Sequence, residues 1–256
     1  MNAAVVPCVV LGLLVGSFLN VVIYRVPARV SIVAPPSACP ACHTQLGPID
    51  LVPVLSWVFL RGRCRTCDAP ISARYPMVEL LTAVLFGVVA WRIGVSWALP
   101  AYLVFTAFLI ALSGIDVDTK TLPNRVVYPS LFAGLALLAV AAVLVDEPRR
   151  LWWAAVGAAA VFAVFRVIHS VSPNGFGFGD VRLGAVLGWH LGWLGLAYVP
   201  VGIYAGFVLG AAVGLVLMIA RRAGRRSALP FGPFLAAGSL LVIVAGRSFV
   251  DTVWPL

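Results

Sequence analysis

Apolar residues in this chain do not alternate with polar ones at the period of a strand or of a surface helix. They run on, and short polar stretches interrupt them. A run of about 18 or more apolar residues reads as a membrane-spanning helix, because lipid offers backbone N–H and C=O groups no partner and a helix pairs them internally. Eight runs fit that length, near 4–24, 77–95, 98–115, 126–145, 151–170, 182–198, 200–220 and 231–250. Only short polar gaps separate the second run from the third and the sixth from the seventh. The first, "VVPCVVLGLLVGSFLNVVIY", has neither a basic segment ahead of it nor a small-residue cleavage site, so it is expected to stay as a helix rather than be removed as a signal peptide.

Composition agrees with that pattern: of 256 residues, 62% are hydrophobic and 11% charged. The charges also set an orientation. Loop 25–76 carries Arg25, Arg29, Arg61, Arg63, Arg65 and Arg74; loop 116–125 carries Lys120 and Arg125; loop 221–230 carries Arg221, Arg222, Arg225 and Arg226. These are 12 of the 18 Lys and Arg residues, and all fall on one side if every run spans. The positive-inside rule makes that side cytoplasmic and puts both termini outside, with Arg149 and Arg150 against the trend. Topology and anionic lipid account for the net charge of +9, so the lipid bilayer is the expected partner and nucleic acid is not.

The one sizeable polar segment, residues 25–76, holds four of the five cysteines, in "CPAC" (Cys39, Cys42) and "CRTC" (Cys64, Cys67). The 21-residue spacer is slightly long for a two-knuckle zinc site, yet each Cys-x-x-Cys pair can grip half of a tetrahedral ion. About 50 residues build little core, so Zn²⁺ would supply folding free energy. Two disulfides or redox pairs are the competing reading, which a cytosolic location disfavours. Four thiolates leave His43 no place as a ligand, and Cys8 reads as a packing residue. His169 and His190 read as satisfied or interfacial side chains. The expected architecture is therefore all-α and polytopic, with about eight transmembrane helices and a small cytoplasmic zinc-ribbon-like domain between the first two. Its parts are a first helix (1–24), the four-cysteine zinc-binding loop (25–76) and a seven-helix domain (77–256).

Of nine acidic residues, Asp50, Asp68, Asp146, Glu147 and Asp251 sit in loops or at the terminus, which leaves Glu79, Asp116, Asp118 and Asp180 to explain. "GIDVDTKTLPN" ends the third run with two acids, and Pro123 marks the loop after them. "GFGFGD" places Asp180 just ahead of the sixth run. Singly, each is a boundary charge, and Asp180 would suit a helix N-terminus. Helix parity returns both segments to the cytoplasmic face, where the two acids can meet, and Gly175, Gly177 and Gly179 clear room for backbone or substrate. Two close carboxylates share a proton, giving one base to activate water and one acid to protonate the substrate. Metal binding by Asp116, Asp118 and Asp180 is a second chemical reading, but no phosphate-cradling loop accompanies it.

These stretches resemble the type IV prepilin peptidases, membrane aspartic proteases of the GXGD type. The resemblance runs from "GSFLNVVIYRVP" through "CPAC", "SWVFLRGRCRTC", "ISARYPMVELLT", "DVDTKTLPNRVVYP" and "GFGFGDVRLGAVLGWHLGW" to "LPFGPFLAAGS". It implies catalytic aspartates at Asp116 and Asp180, a supporting acid at Asp118, and metal ligation by Cys39, Cys42, Cys64 and Cys67. It further implies cleavage of the basic leader of prepilins or pseudopilins at the cytoplasmic face of the bacterial inner membrane, between a glycine and the first hydrophobic residue. S-adenosylmethionine-dependent N-methylation of the new terminus goes with the cysteine-bearing loop. Glu79, in "RYPMVELL", could meet the basic leader or the methyl donor, or pair with Arg74. Two positions depart from the family pattern: Asn124 stands where aspartate is common and Arg182 where lysine is common. The alternative from another class is a non-enzymatic zinc-ribbon assembly factor for pili or secretion machinery, which would survive loss of either aspartate. A proton-relay transporter would instead put its acids near mid-membrane.

Overall fold

The computed structural model describes residues 3–172, 175–221 and 229–253. Arg222, Arg225 and Arg226, three of the charges used for orientation, lie outside the described residues. Internal contacts divide the chain into two compact units, Met1–Trp91 and Arg92–Leu256.

In the first unit, α1 (Val5–Arg25) and α3 (Arg74–Ile93) flank a polar segment with one 3₁₀ turn, Pro48–Leu51, and the short α2 (Leu55–Phe59). Gly12 and Gly16, one turn apart on α1, let the two long helices meet backbone to backbone. A Cβ on Gly12 would lie 2.6 Å from the Ala83 Cα, and one on Gly16 would lie 2.7 Å from the Glu79 Cα. Within lipid, apolar side chains gain nothing by leaving it, so helices pair through such close approaches and through polar contacts. Asn20, one turn further on, supplies the polar contact: its Nδ2 donates to Tyr75 O at 3.1 Å and to Gly16 O at 3.3 Å.

In the second unit, α4 (Leu99–Thr119), α5 (Asn124–Leu144), α6 (Arg149–Val171), α7 (Phe178–Leu194), α8 (Tyr198–Ile219) and α9 (Gly232–Val253) follow one another with short connections. The innermost is α7, which packs on α5, α6, α8 and α9, while α4 packs on α5 and α9. The α6–α7 seam is again built on glycine at every fourth position. A Cβ on Gly188 would fall 2.3 Å from Gly157 O, and one on Gly192 would fall 2.5 Å from Trp153 O. Gly202 and Gly206 of α8 receive Gly238 of α9 in the same way.

Seven of these helices are long and apolar enough to cross a membrane: α1, α3, α4, α5, α6, α8 and α9. The eighth long helix, α7, has 17 residues and carries Asp180 and Arg182 in its first turns; 11 of its residues are buried, so its neighbours shield it from lipid. Two boundaries differ from the sequence reading in a way that matters. Helix α4 continues four residues past 115, to Thr119, and stops where Lys120 turns left-handed (φ 53°). Helix α7 begins at Phe178 rather than 182. Asp116 and Asp180 therefore both stand on helix, at facing ends.

Candidate active site and metal centre

The cysteine segment folds as two matching knuckles. In the first, Cys39 N donates to Thr44 O, His43 N donates to Cys39 O, and Ala38 bridges Gln45; in the second, Cys64 N donates to Ala69 O, Asp68 N donates to Cys64 O, and Arg63 bridges Pro70. The residue after each second cysteine turns left-handed, His43 at φ 58° and Asp68 at φ 55°. These turns bring Cys39, Cys42, Cys64 and Cys67 together, with all four Sγ atoms within 4.8 Å of one another and none in a disulfide. A tetrahedral Zn²⁺ with Zn–S bonds of about 2.3 Å sets its sulfurs about 3.8 Å apart, and Cys39 Sγ and Cys67 Sγ are 3.8 Å apart. The donor set thus fits zinc. Hydrogen bonding from Thr44 lowers the Cys42 thiol to about 6, toward the thiolate a metal needs. Beyond the tetrad, Trp57 Nε1 donates to Ile71 O at 3.0 Å. Arg65 pairs with Asp50 at 2.8 Å and holds that carboxyl below its ordinary value.

Glu79 is buried in the first unit, on the α3 face that meets α1. Its carboxylate accepts the Val54 N–H at 2.7 Å and is also bonded by the Ser17 hydroxyl. Val54 is held at φ 62°, uncommon for a β-branched residue. The glutamate thus ties the start of α2 to the membrane helices.

The other three acids lie in the second unit. Asp116 and Asp118 occupy the last turn of α4, the negative end of its dipole, where a carboxylate is disfavoured. Asp116 is also buried, at 5% exposure. An acid kept in such a place answers to function before stability. Its Oδ2 accepts the N–H of Gly232, the first residue of α9, at 2.9 Å. Asp180 stands in the first turn of α7, where the dipole favours it, and its N–H donates to Gly177 O at 3.1 Å. The charge of Asp116 bears on it across the gap between the helix ends. Asp118 points to the exposed side of α4. Among the described residues the cysteine tetrad is the one group placed to hold a metal, and Asp116, Asp118 and Asp180 do not form another.

The glycines flanking Asp180 have separate duties. A Cβ on Gly177 would come within 3.2 Å of Asp180 Oδ2, so its absence keeps the carboxylate accessible. A Cβ on Gly179 would come within 2.9 Å of Leu122 Cβ, so its absence lets the α4–α5 loop close against α7. Four phenylalanines brace the arrangement from behind. Phe165 (α6), Phe176, Phe231 and Phe207 (α8) form a ring of edge-on and tilted contacts with centroids 4.8 to 6.1 Å apart, linking the turn before Asp180 to the one before Gly232. His169 adds a bond between its Nδ1 and Phe176 O at 2.7 Å.

Residues not singled out for a role in the sequence complete the site. Gly232 and Leu122 lie beside Asp116, and only the motifs "LPFG" and "TLPN" hinted at them. The two departures from the family pattern touch each other: Arg182 donates from Nη1 to Asn124 Oδ1, and its guanidinium lies 4.4 Å from the centre of the Phe178 ring. His190 is not interfacial but 1% exposed, stacked on Phe105 at 4.0 Å with Nδ1 donating to Val186 O. Two cavities of about 360 and 400 Å³, the larger between α6 and α8, are lined almost wholly by apolar surface and offer an adenosyl group little to bond.

A bundle of apolar helices that brings two acids to neighbouring helix ends, in a chain that also carries a four-thiolate cluster, defines a multi-pass membrane protein. Comparison with known proteins is specific. Residues 10–93 match the bacterial peptidase A24 N-terminal domain, and residues 103–218 match the type IV leader peptidase family. The prepilin leader peptidase/N-methyltransferase of Stutzerimonas stutzeri is 38% identical, over 95% of this chain and 91% of that protein. Its namesake in Bacillus subtilis is 37% identical over 94% of each, and that in Neisseria gonorrhoeae is 36% identical over 96% of this chain and 90% of that protein. No solved structure matches the chain significantly. The chain belongs to the type IV leader peptidase family, and with its seven apolar helices it is a multi-pass inner membrane protein.

Proposed function

We propose that this chain removes the basic leader of type IV prepilins or pseudopilins by aspartate-dyad hydrolysis, and that it N-methylates the terminus so exposed. The reading rests above all on Asp116, buried in the last turn of α4, facing Asp180 in the first turn of α7. Two adjacent carboxylates hold one proton between them. The ionised member takes a proton from water, whose oxygen attacks the scissile carbonyl carbon. The protonated member gives its proton to the carbonyl oxygen; the tetrahedral species then collapses as the member that took the water proton passes it to the leaving amine nitrogen and the other takes back the hydroxyl proton, which restores the one-proton pair. No covalent enzyme intermediate forms. Asp116 and Asp180 are the catalytic pair; Asp118 supports them from the exposed side of α4, while Gly177 and Gly179 keep the approach open.

A prepilin is itself a membrane helix whose scissile bond lies near the cytoplasmic interface. The excess of basic residues in the loops supports that face for the dyad and, with α7 counted as an eighth crossing, the outside for both termini. Cys39, Cys42, Cys64 and Cys67 would hold Zn²⁺, which would fasten the two knuckles together and supply no reacting atom. S-adenosylmethionine would be the methyl donor; its binding residues are not supplied by the two apolar cavities. Glu79, by fixing the start of α2 within the cysteine-bearing segment, serves methylation. The assembly-factor alternative gives the acids a structural role only.

The test is to incubate the purified chain with a pilin precursor and weigh the new amino terminus. Cleavage between glycine and the next residue, with a gain of about 14 mass units when the methyl donor is added, supports both activities. An intact precursor supports the assembly factor.

A further inference from the structure

Leu122 packs against the two glycines that stand next to the proposed dyad. It follows the end of α4 and precedes Pro123, whose ring fixes the start of α5, so its backbone has little freedom. Its side chain is 9% exposed and lies between two glycines, each beside one of the acids. A Cβ on Gly179, next to Asp180, would meet Leu122 Cβ at 2.9 Å; one on Gly232 would meet Leu122 Cδ2 at 3.3 Å and Asp116 Oδ2 at 2.9 Å. On the Gly232 side of the Asp116 carboxylate, Leu122 and the carboxylate therefore leave no room for a further carbon.

We infer that Leu122 is a size gate that makes the enzyme demand glycine immediately before the scissile bond. This rests on the leader-peptidase reading. The residue before the scissile bond carries its Cα directly on the carbonyl carbon under attack, so any Cβ is held about 1.5 Å from that Cα and cannot swing clear of the acids. Direction follows from the chain path. Asp116 is within α4, while Leu122 lies past its end, on the side of the basic loops. A substrate whose mature part continues into the bilayer and whose leader points outward meets Leu122 with its last leader residue. The residue after the scissile bond faces the membrane side of the dyad. Packed walls reject an added carbon because neither the loop before Pro123 nor the helix ends at Gly179 and Gly232 can recede independently.

The experiment uses the full-length chain in membranes and two forms of one pilin precursor, with glycine or with alanine as the last leader residue. Rates of cleavage for both are measured with wild type, Leu122→Ala and Leu122→Val. Wild type should cleave the glycine form and discriminate against the alanine form. Leu122→Ala should lower that glycine-over-alanine ratio by about ten-fold or more, the scale on which pockets sense one carbon. Leu122→Val should lower it less, in the same direction, and covers the case in which the alanine variant folds poorly. An unchanged ratio in both variants, or an equal loss of both substrates, overturns the inference while leaving the peptidase reading intact. Failure of wild type to cleave the glycine form would overturn the peptidase reading itself.

Discussion

Replacing Gly232 by alanine adds one carbon at the first residue of α9 and should cost activity more than stability. Gly232 is not among the glycines with positive φ, so its backbone accepts a side chain. Alanine also favours helix over glycine by up to about 1 kcal/mol. The new Cβ, however, would stand 2.9 Å from Asp116 Oδ2, against about 3.4 Å for an ordinary contact, and Leu122 Cδ2 at 3.3 Å blocks the other side. The carboxylate must withdraw by the difference, about 0.5 Å, which stretches its 2.9 Å bond from the Gly232 N–H to as much as about 3.4 Å and weakens it. A hydrogen bond to a charged acceptor contributes ~1.5–3 kcal/mol, so turnover should fall, with about 10- to 150-fold as the limit for complete loss of the bond. The assay is kcat for leader cleavage beside the thermal midpoint of the solubilised protein. Gly214→Ala serves as control, since its nearest neighbour is the movable end of Leu229 at 3.2 Å. A Gly232→Ala enzyme with wild-type turnover and an unmoved pH profile would refute the role given to this N–H.

Three further outcomes follow from the packing and the metal centre. Gly188→Ala sets a Cβ 2.3 Å from the Gly157 carbonyl, which as backbone cannot turn away. It should destabilise the protein by ~1–3 kcal/mol, read as a fall in thermal midpoint, with lost cleavage as α7 carries Asp180 off position. Metal analysis should find one zinc per chain, and Cys39→Ser or a strong chelator should remove it and expose residues 26–73 to added protease; a protease pattern indifferent to metal would count against a structural zinc. Arg182→Ala should lower turnover several-fold by freeing α7 from Asn124, and Arg182→Lys should restore most of it, because lysine still donates to the Asn124 oxygen; equal defects in the two would point to the cation–π contact with Phe178 instead.

The helices were legible because lipid imposes a simple rule: a backbone with no water must bond to itself, and uninterrupted apolar runs follow. The cysteine tetrad was legible because its ligand spacing is local and repeated. Helix ends were less so. Asp-Val-Asp-Thr carries no apolar signal, yet the helical bonds run on through it to Lys120, which moved Asp116 from a loop edge onto α4. Least legible were contacts made across the second unit. Nothing in "LPFGP" says that the Gly232 N–H reaches an acid 116 positions earlier. Asn124 and Arg182 each looked like an isolated departure, and only the meeting of α5 with α7 shows them to be partners. His190 read as satisfied or interfacial because it lies near a helix end; neighbouring side chains bury it, and its Nδ1 bonds the Val186 carbonyl.

The most direct test is cleavage of a pilin precursor in membranes containing wild type, Asp116→Asn, Asp180→Asn or Asp118→Asn at matched expression, read by mass at the new amino terminus. Each of the first two substitutions keeps the shape and removes the titrating oxygen, so each should abolish cleavage while the protein still inserts. Asp118→Asn, on the exposed side of α4, should reduce cleavage only in part. If Asp116→Asn and Asp180→Asn both cleave at the wild-type rate, the two carboxylates are not the catalytic pair, and the chain's buried acids serve structure instead.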